Sequence, residues 1–311
     1  MSAESPDADL GELLTEAVAD HDLSLDELTV AQLVALMNDR DAAIPGAVRA
    51  ALPAITAAIE ATAARIRQGG RLIYVGAGTS GRLGVLDAAE VPPTFGTDGD
   101  LVLGLIAGGP PAIVSSVEFA EDSEEAGAGD LAGLAPGPLD TVVGIASSGT
   151  TPYVLGALRL AAERNALTVG LSCNLDTPLS AAAEYAIEIP VGPEIVTGST
   201  RLGAGTATKM VLNMFSTISM VQLGKTYRTL MVDVKATNAK LMRRAVRIVM
   251  LATGSDEDTA RIALDATGWH AKLAIAVIAT GMSVPDARAA LDAVDGVLRK
   301  VIEPAIGTGG R

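Results

Sequence analysis

Apolar residues recur along this chain in two rhythms. Between residues 71 and 190 they fall in short runs: Arg71–Val75, Leu101–Ile106, Thr141–Ala146, Thr168–Ser172 and Tyr185–Pro190. Runs of this length predict strands. Helical spacing occupies the intervals, at 80–90, 111–127 and 151–164. Strands with few polar residues, alternating with helices, predict a parallel sheet covered on both faces.

The flanks differ. Residues 1–30 are polar and read as largely irregular, while 31–40 and 46–68 read as helices, the second ended by Gly69-Gly70. Beyond residue 198 the pattern is purely helical: 200–223, 231–252, 256–267, 270–281, 284–294 and 296–303. The last four are short and joined at Thr253-Gly254, Gly268, Gly281 and Gly296, which reads as a small helical module. The expected division is an N-terminal helical arm (1–45), a sheet domain (46–230) and a C-terminal helical module (231–311).

Composition narrows the function. The chain has 311 residues, 49% of them hydrophobic, enough for a substantial core. Only 3% are aromatic, too few for a base-stacking platform, and the net charge of −14 is the opposite of a nucleic-acid-binding surface. An anion must therefore be bound locally, by backbone N–H groups and hydroxyls. One cysteine, Cys173, and two histidines, His21 and His270, leave no multi-Cys metal site and little for a His-based centre or triad. MSAESPDADL lacks the apolar run of a signal peptide, and the longest apolar stretches, 211–223 and 273–282, fall short of the roughly 20 residues of a membrane helix. The expected protein is soluble and cytoplasmic.

Three hydroxyl-rich turns are the candidate chemistry. Gly76-Ala77-Gly78-Thr79-Ser80-Gly81-Arg82 follows a strand and opens a helix. Its glycines permit a tight turn and close backbone approach to an anion. The third glycine arrives one position early for a dinucleotide fingerprint, and no P-loop lysine follows, so a monophosphate suits it better. Ala146-Ser147-Ser148-Gly149-Thr150-Thr151-Pro152 repeats the arrangement after another strand, and such turns on neighbouring strands would share one crevice. Thr197-Gly198-Ser199-Thr200-Arg201 is a further cluster at a helix start. For each, a structural turn or helix capping is the plainer alternative.

Two carboxylates stand out. Glu90 is placed at a helix end stopped by Val91-Pro92-Pro93, in the core-facing row Leu83, Leu86, Glu90. The helix dipole and burial there would favour a protonated carboxyl, as a general acid requires. Glu121 extends the row Ile113, Val117, Glu121 on a helix, whereas Glu118 points away from that row. Glu194 is a third candidate, near the crevice or in the first turn of a helix.

These segments together, VGAGTSGRLGVLDAAEVPPTFG (75–96), SSVEFAED (115–122), TVVGIASSGTTPYV (141–154), GPEIVTGSTRLGAGTATKMVLNM (192–214) and LMVDVKATNAKL (230–241), resemble the N-acetylmuramic acid 6-phosphate etherases from about residue 10 to 305. The resemblance implies a sugar isomerase (SIS) domain, a three-layer α/β/α sandwich on a five-stranded parallel sheet, usually a homodimer. It implies cleavage of a lactyl ether on a phosphosugar by elimination and hydration, without metal or organic cofactor. Glu90 then matches the acid and Glu121 the base at C2, while Ser80, Ser147, Ser148 and Thr151 match the phosphate-binding hydroxyls. Gly78, Thr79, Gly81, Gly149, Ser199 and Glu194 complete the candidate substrate site. Thr150 and Gly203 stand where the family has Arg and Lys, removing two cations. Two other readings remain: a non-catalytic phosphosugar sensor similar to the glucokinase regulatory protein, and an aldose–ketose isomerase with Glu194 as base.

Overall fold

The computed structural model describes residues 13–19, 24–236 and 238–307. His21 and the MSAESPDADL segment lie outside them. Contacts divide the chain into two compact units: residues up to Ala89 together with Asp100–Phe215, and Glu90–Gly99 together with residues from Ser216 on.

The first unit is a three-layer α/β/α sandwich. Its strands are β1 (Leu72–Gly76), β2 (Val102–Ile106), β3 (Thr141–Ile145), β4 (Leu167–Ser172) and β5 (Tyr185–Glu188). They form one parallel sheet in the order β2-β1-β3-β4-β5. All five expected strands are present. β1, β3 and β4 are buried along their whole length, while β2 and β5 are the partly covered edges. Central strands of a doubly covered parallel sheet meet apolar neighbours on both sides, which is why their sequences do not alternate.

Helices α1 (Val30–Asp41), α2 (Ile44–Ala50) and α3 (Leu52–Ile66) precede the sheet. The single helix expected over 46–68 is interrupted at Ala51, because Pro53 lacks the N–H that would continue the ladder and instead opens α3. α4 starts at Gly78 and α7 covers Pro152–Glu163. Glycines let α4 lie flush on the sheet. A Cβ at Gly81 would stand 2.6 Å from the Gly76 carbonyl, one at Gly84 would stand 2.9 Å from Tyr74 Cβ, and one at Gly104 would stand 2.8 Å from Val85 Cα. On the opposite face Val154 and Leu158 of α7 and Leu179 of α8 (Pro178–Ala182) close over Gly144 and pack with Ile73, Val75 and Val142. The short α8 has no counterpart in the sequence reading.

Two further expectations fail around the sheet. α4 does not stop before Val91-Pro92-Pro93 but runs on to Phe95. Proline removes a hydrogen bond yet holds a helical φ, and buried Val91 and Phe95, one turn apart, keep the last turn anchored. The helix expected over 111–127 is two helices, α5 (Pro111–Val114) and α6 (Glu124–Gly133), separated by an irregular segment. Ser115 is extended, Phe119 takes a φ of +60°, and the Ser123 hydroxyl caps α6 by accepting from the Ala126 N–H.

At the other end of the sheet one ion pair sets the entry of two strands. Asp140 accepts from the Arg71 backbone N–H at 2.9 Å and from its guanidinium at 3.1 and 2.7 Å, and also from the Gly137 N–H at 3.0 Å. These residues immediately precede β3 and β1 and hold Leu72 opposite Thr141.

α9 begins at Gly203 and ends at Gln222, so the division between units falls within it, as it does within α4. The second unit holds α10 (Ala239–Thr253), α11 (Glu257–Ala266), α12 (Ala271–Thr280), α13 (Val284–Asp292) and α14 (Leu298–Gly307) around a core that includes Val249, Leu264, Leu273 and Ile275. The helix expected over 231–252 starts only at Ala239, where Asn238 caps it by accepting from the Leu241 N–H. Gly254, Gly268, Gly281 and Gly296 all adopt positive φ, as the expected turns require. No single described helix is long and apolar enough to cross a membrane.

Burial alone would raise the Asp140 pKa, but hydrogen bonds from Arg71 and Gly137 outweigh it and hold the carboxyl below its ordinary 3.8. The stabilisation is therefore complete above that value and lost as pH falls through the folded value. Asp140→Asn should cost about 2 kcal/mol in urea unfolding at pH 7. The gap between variant and parent should narrow at pH 3; an equal gap at both pH values would contradict the assignment.

Candidate active site

The strand order places a topological switch between β1 and β3, where chain connections leave the sheet in opposite directions. Crevices open at the carboxyl ends of strands at such points. The two Gly-rich turns follow these two strands, which pair Gly76 with Ile145.

The first turn leaves β1 with Gly78 at a φ of +52° and open space where a side chain would be. Gly81 and Gly76 have a different task, allowing the helix start to touch the strand end. Thr79 is half-buried and Ser80 buried. Thr79 also reaches α9: its Cγ2 lies 3.5 Å from where a Cβ on Gly205 would stand.

The second turn has Gly149 at a φ of +75°, pressed against Thr177. Ser148 Oγ accepts from the Thr150 N–H and hydroxyl, at 3.2 and 3.0 Å. Thr150, standing where the family has arginine, thus braces the turn instead of supplying charge. Thr151 is the N-cap residue of α7, yet its side chain makes no capping bond, so capping does not account for its hydroxyl. The Ser147 carbonyl accepts from the Cys173 N–H at 3.0 Å and from Asn174 Nδ2 at 2.9 Å. Asn174 also donates to Thr15, which ties the N-terminal segment to this turn.

The third cluster lies just before α9. Ser199 is half-buried and donates its N–H to the Val196 carbonyl at 2.9 Å. Gly198, at a φ of +73°, abuts the Glu16 carboxylate, which would lie 2.7 Å from an added Cβ. Buried Glu194 accepts from the N–H groups of Gly203 and Ala204 at 2.8 and 3.0 Å, filling the N-terminus of α9. Gly203, in the family's lysine position, packs close to that carboxylate, and a Cβ there would meet it at 3.1 Å.

The carboxylates are placed differently from the helical-row argument. Glu90 is exposed in the interior of α4, so neither a helix end nor burial acts on it. Glu121 is exposed in the irregular segment between α5 and α6, where no helical row distinguishes it from Glu118. Glu121 lines a cavity of about 500 Å³ together with Gly78, Arg82, Glu118 and Asp122, whereas Glu90 does not line it. Glu121 is further held from the second turn: its carbonyl accepts from the Tyr153 N–H at 3.0 Å, satisfying a free donor at the start of α7. Its segment thus faces the first turn and is anchored at the second. Ser80, Ser147, Ser148, Thr151, Ser199 and Glu194 do not line this cavity.

Arg82 is a cation of this cavity that is absent from the candidate residues named from the sequence. It donates to the Ile113 and Ser115 carbonyls at 3.1 and 3.2 Å and places a guanidinium on the cavity wall. Its signal was its place directly after the Gly-rich turn. Tyr153, raised in pKa by burial and by its bond to Asp130 at 2.7 Å, is a packed structural tyrosine.

Fold and site together define an SIS-domain protein. Residues 54–162 match the glucokinase regulatory protein N-terminal SIS domain, and residues 119–219 match the SIS domain. N-acetylmuramic acid 6-phosphate etherase of Streptomyces avermitilis is 56% identical over 298 residues, covering 96% of each chain. The enzyme of that name from Rubrobacter xylanophilus is 56% identical over 269 residues, covering 86% of this chain and 89% of the relative. That from Serratia proteamaculans is 50% identical over 293 residues, covering 94% and 99%. The chain belongs to the N-acetylmuramic acid 6-phosphate etherase family.

Beside Ser147, the buried Cys173 thiol is pushed up to about 12, chiefly by burial. It should resist iodoacetamide at pH 8 in the native protein and react within minutes in guanidinium. Alkylation of the native protein at the free-thiol rate would show the residue to be accessible and contradict its burial.

Proposed function

We propose that this protein is a carbon–oxygen lyase that converts N-acetylmuramic acid 6-phosphate and water into N-acetylglucosamine 6-phosphate and D-lactate, in amino-sugar recycling of the cell wall. The observation that carries the site assignment is the double tether of Glu121: its segment lines one cavity with Gly78 and Arg82, and its carbonyl is bound at the start of α7. The near full-length kinship to etherases supplies the reaction.

The phosphate is held by the turns at the sheet's switch point, through Gly78, Thr79, Ser80 and Gly81 on one side and Ser147, Ser148, Gly149 and Thr151 on the other, with Ser199 nearby. Helix starts and free hydroxyls suit a phosphate without a resident lysine. Arg82 supplies the nearby positive charge. In the ring-opened sugar, Glu121 takes the C2 proton, made acidic by the C1 aldehyde. The C3–oxygen bond breaks, its electron pair leaves on the lactyl oxygen, and Glu90 protonates that oxygen as lactate departs. Water then adds at C3 of the unsaturated aldehyde, restoring the proton at C2. Glu194 supports α9 through two backbone N–H groups, a positioning task that leaves it poorly suited to be an isomerase base.

The protein works in this reading as a cytoplasmic homodimer. Val114 and Phe119, 85% and 82% exposed beside the cavity segment, support covering of this edge by a second copy.

Purified enzyme should release D-lactate from N-acetylmuramic acid 6-phosphate; substrate left intact after long incubation with ample enzyme would overturn the activity. Glu90→Gln and Glu121→Gln should each lower turnover by about 10²-fold or more, and Glu118→Gln by only a few-fold. In D₂O, Glu90→Gln should still exchange the C2 hydrogen while Glu121→Gln does not. Full activity in both variants would refute the roles, and a ketose product would favour the isomerase reading.

A further inference from the structure

The second unit has a cavity of its own, about 330 Å³, walled by Gly96, Lys225, Asp233, Lys235, Trp269 and His270 among others. Several of these residues belong to LMVDVKATNAKL (230–241), a segment to which the reaction above gives no task.

Its charge is unbalanced. Lys272 is buried and donates to Asp233 Oδ2 at 2.5 Å, and Lys225 Nζ lies 3.6 Å from the same oxygen. One carboxylate is thus already shared between two ammonium groups. Lys235 donates instead to a neutral group, the Thr97 carbonyl, at 3.1 Å. Beside it the buried Thr97 hydroxyl has no hydrogen-bond partner among the described residues. His270 accepts the Leu273 N–H on Nδ1 at 3.3 Å, which leaves Nε2 as a donor. Desolvation, followed by nearby Lys272, Arg288 and Lys225, lowers its pKa against the pull of Asp233.

A plainer role exists for part of this. Lys235 could serve only to cap the carbonyl end of α4, where the dipole favours a cation. That explains one lysine, but Lys225 on the same wall has only a share of Asp233, which Lys272 holds more closely, and the volume enclosed is not explained either. A cavity of this size with excess positive charge, in a chain of net charge −14, suits an anionic small molecule. We propose that this cavity is a binding site for a small anion bearing a carboxylate or a phosphate, with Lys225 and Lys235 as its charged contacts.

The chain's single tryptophan, Trp269, lines the cavity and reports its occupancy. Fluorescence of the full-length protein should be followed while inorganic phosphate and sodium D-lactate are titrated separately at constant ionic strength. A saturable change with either anion is expected, and the anion that gives it assigns the headgroup. The Lys225→Met, Lys235→Met double variant should bind about tenfold more weakly or worse. Lys235→Arg should retain binding, which separates lost charge from lost folding. No saturable change with either anion up to tens of millimolar would overturn the proposal, as would a double variant that titrates like the parent. The readout involves no turnover, so it stands or falls separately from the etherase reading.

Discussion

The near-contact of α4 with the strands beneath it is the constraint on which the candidate site depends. Side chains beyond glycine normally hold a helix backbone away from the strand beneath it. Here Gly81 meets Gly76, Gly84 meets Tyr74, and Gly104 meets Val85, each where a Cβ would collide. The helix can therefore begin directly at the strand's end, with Gly78 in the left-handed region and its face open to the cavity. Arg82 follows one residue after the packed Gly81 and inherits its position from that contact. Glycine is thus required here for two separate reasons, close packing at Gly76 and Gly81 and backbone conformation at Gly78.

The remaining polar groups of the first unit divide into those consumed by structure and those left available. Glu194 satisfies two N–H groups at the start of α9, and the Ser147 carbonyl gathers Cys173 and Asn174. Such bonds satisfy buried groups that would otherwise destabilise the fold. The Thr151 hydroxyl, by contrast, stands at a helix start without capping it. Glu90 and Glu121 are exposed. The candidate reactive groups of the proposed mechanism are those that the fold positions through the backbone. Glu121 is the clearest case, since the tether runs through its carbonyl.

Loss of two family cations looked, from the residues alone, like a site left with neutral donors. The structure changes that picture at three positions. Thr150 braces Ser148, Gly203 makes room for the Glu194 carboxylate, and Arg82 brings a guanidinium to the cavity wall. A cation displaced along the sequence can serve the same crevice when a different element carries it there.

The sequence by itself determined the five strands, the parallel layering and the turns that join the C-terminal helices. These follow from local rules: a doubly covered strand must be apolar throughout, and a helix stops where glycine takes a positive φ. It also determined the hydroxyl turns, since their composition is contiguous. Only the tertiary structure decided what those turns face. The helical row that singled out Glu121 dissolved because Ser115 is extended, Phe119 takes a positive φ and Ser123 caps the next helix, which interrupts a helix despite its apolar spacing. The end expected at Glu90 vanished because burial of Val91 and Phe95 outweighed the hydrogen bonds lost at two prolines. The pairing of β1 with β3, which sets the two turns side by side, joins residues some seventy positions apart in the chain. Periodicity is read within a window of one element, while the convergence of a site is a sum over contacts between elements, and no local pattern encodes that sum.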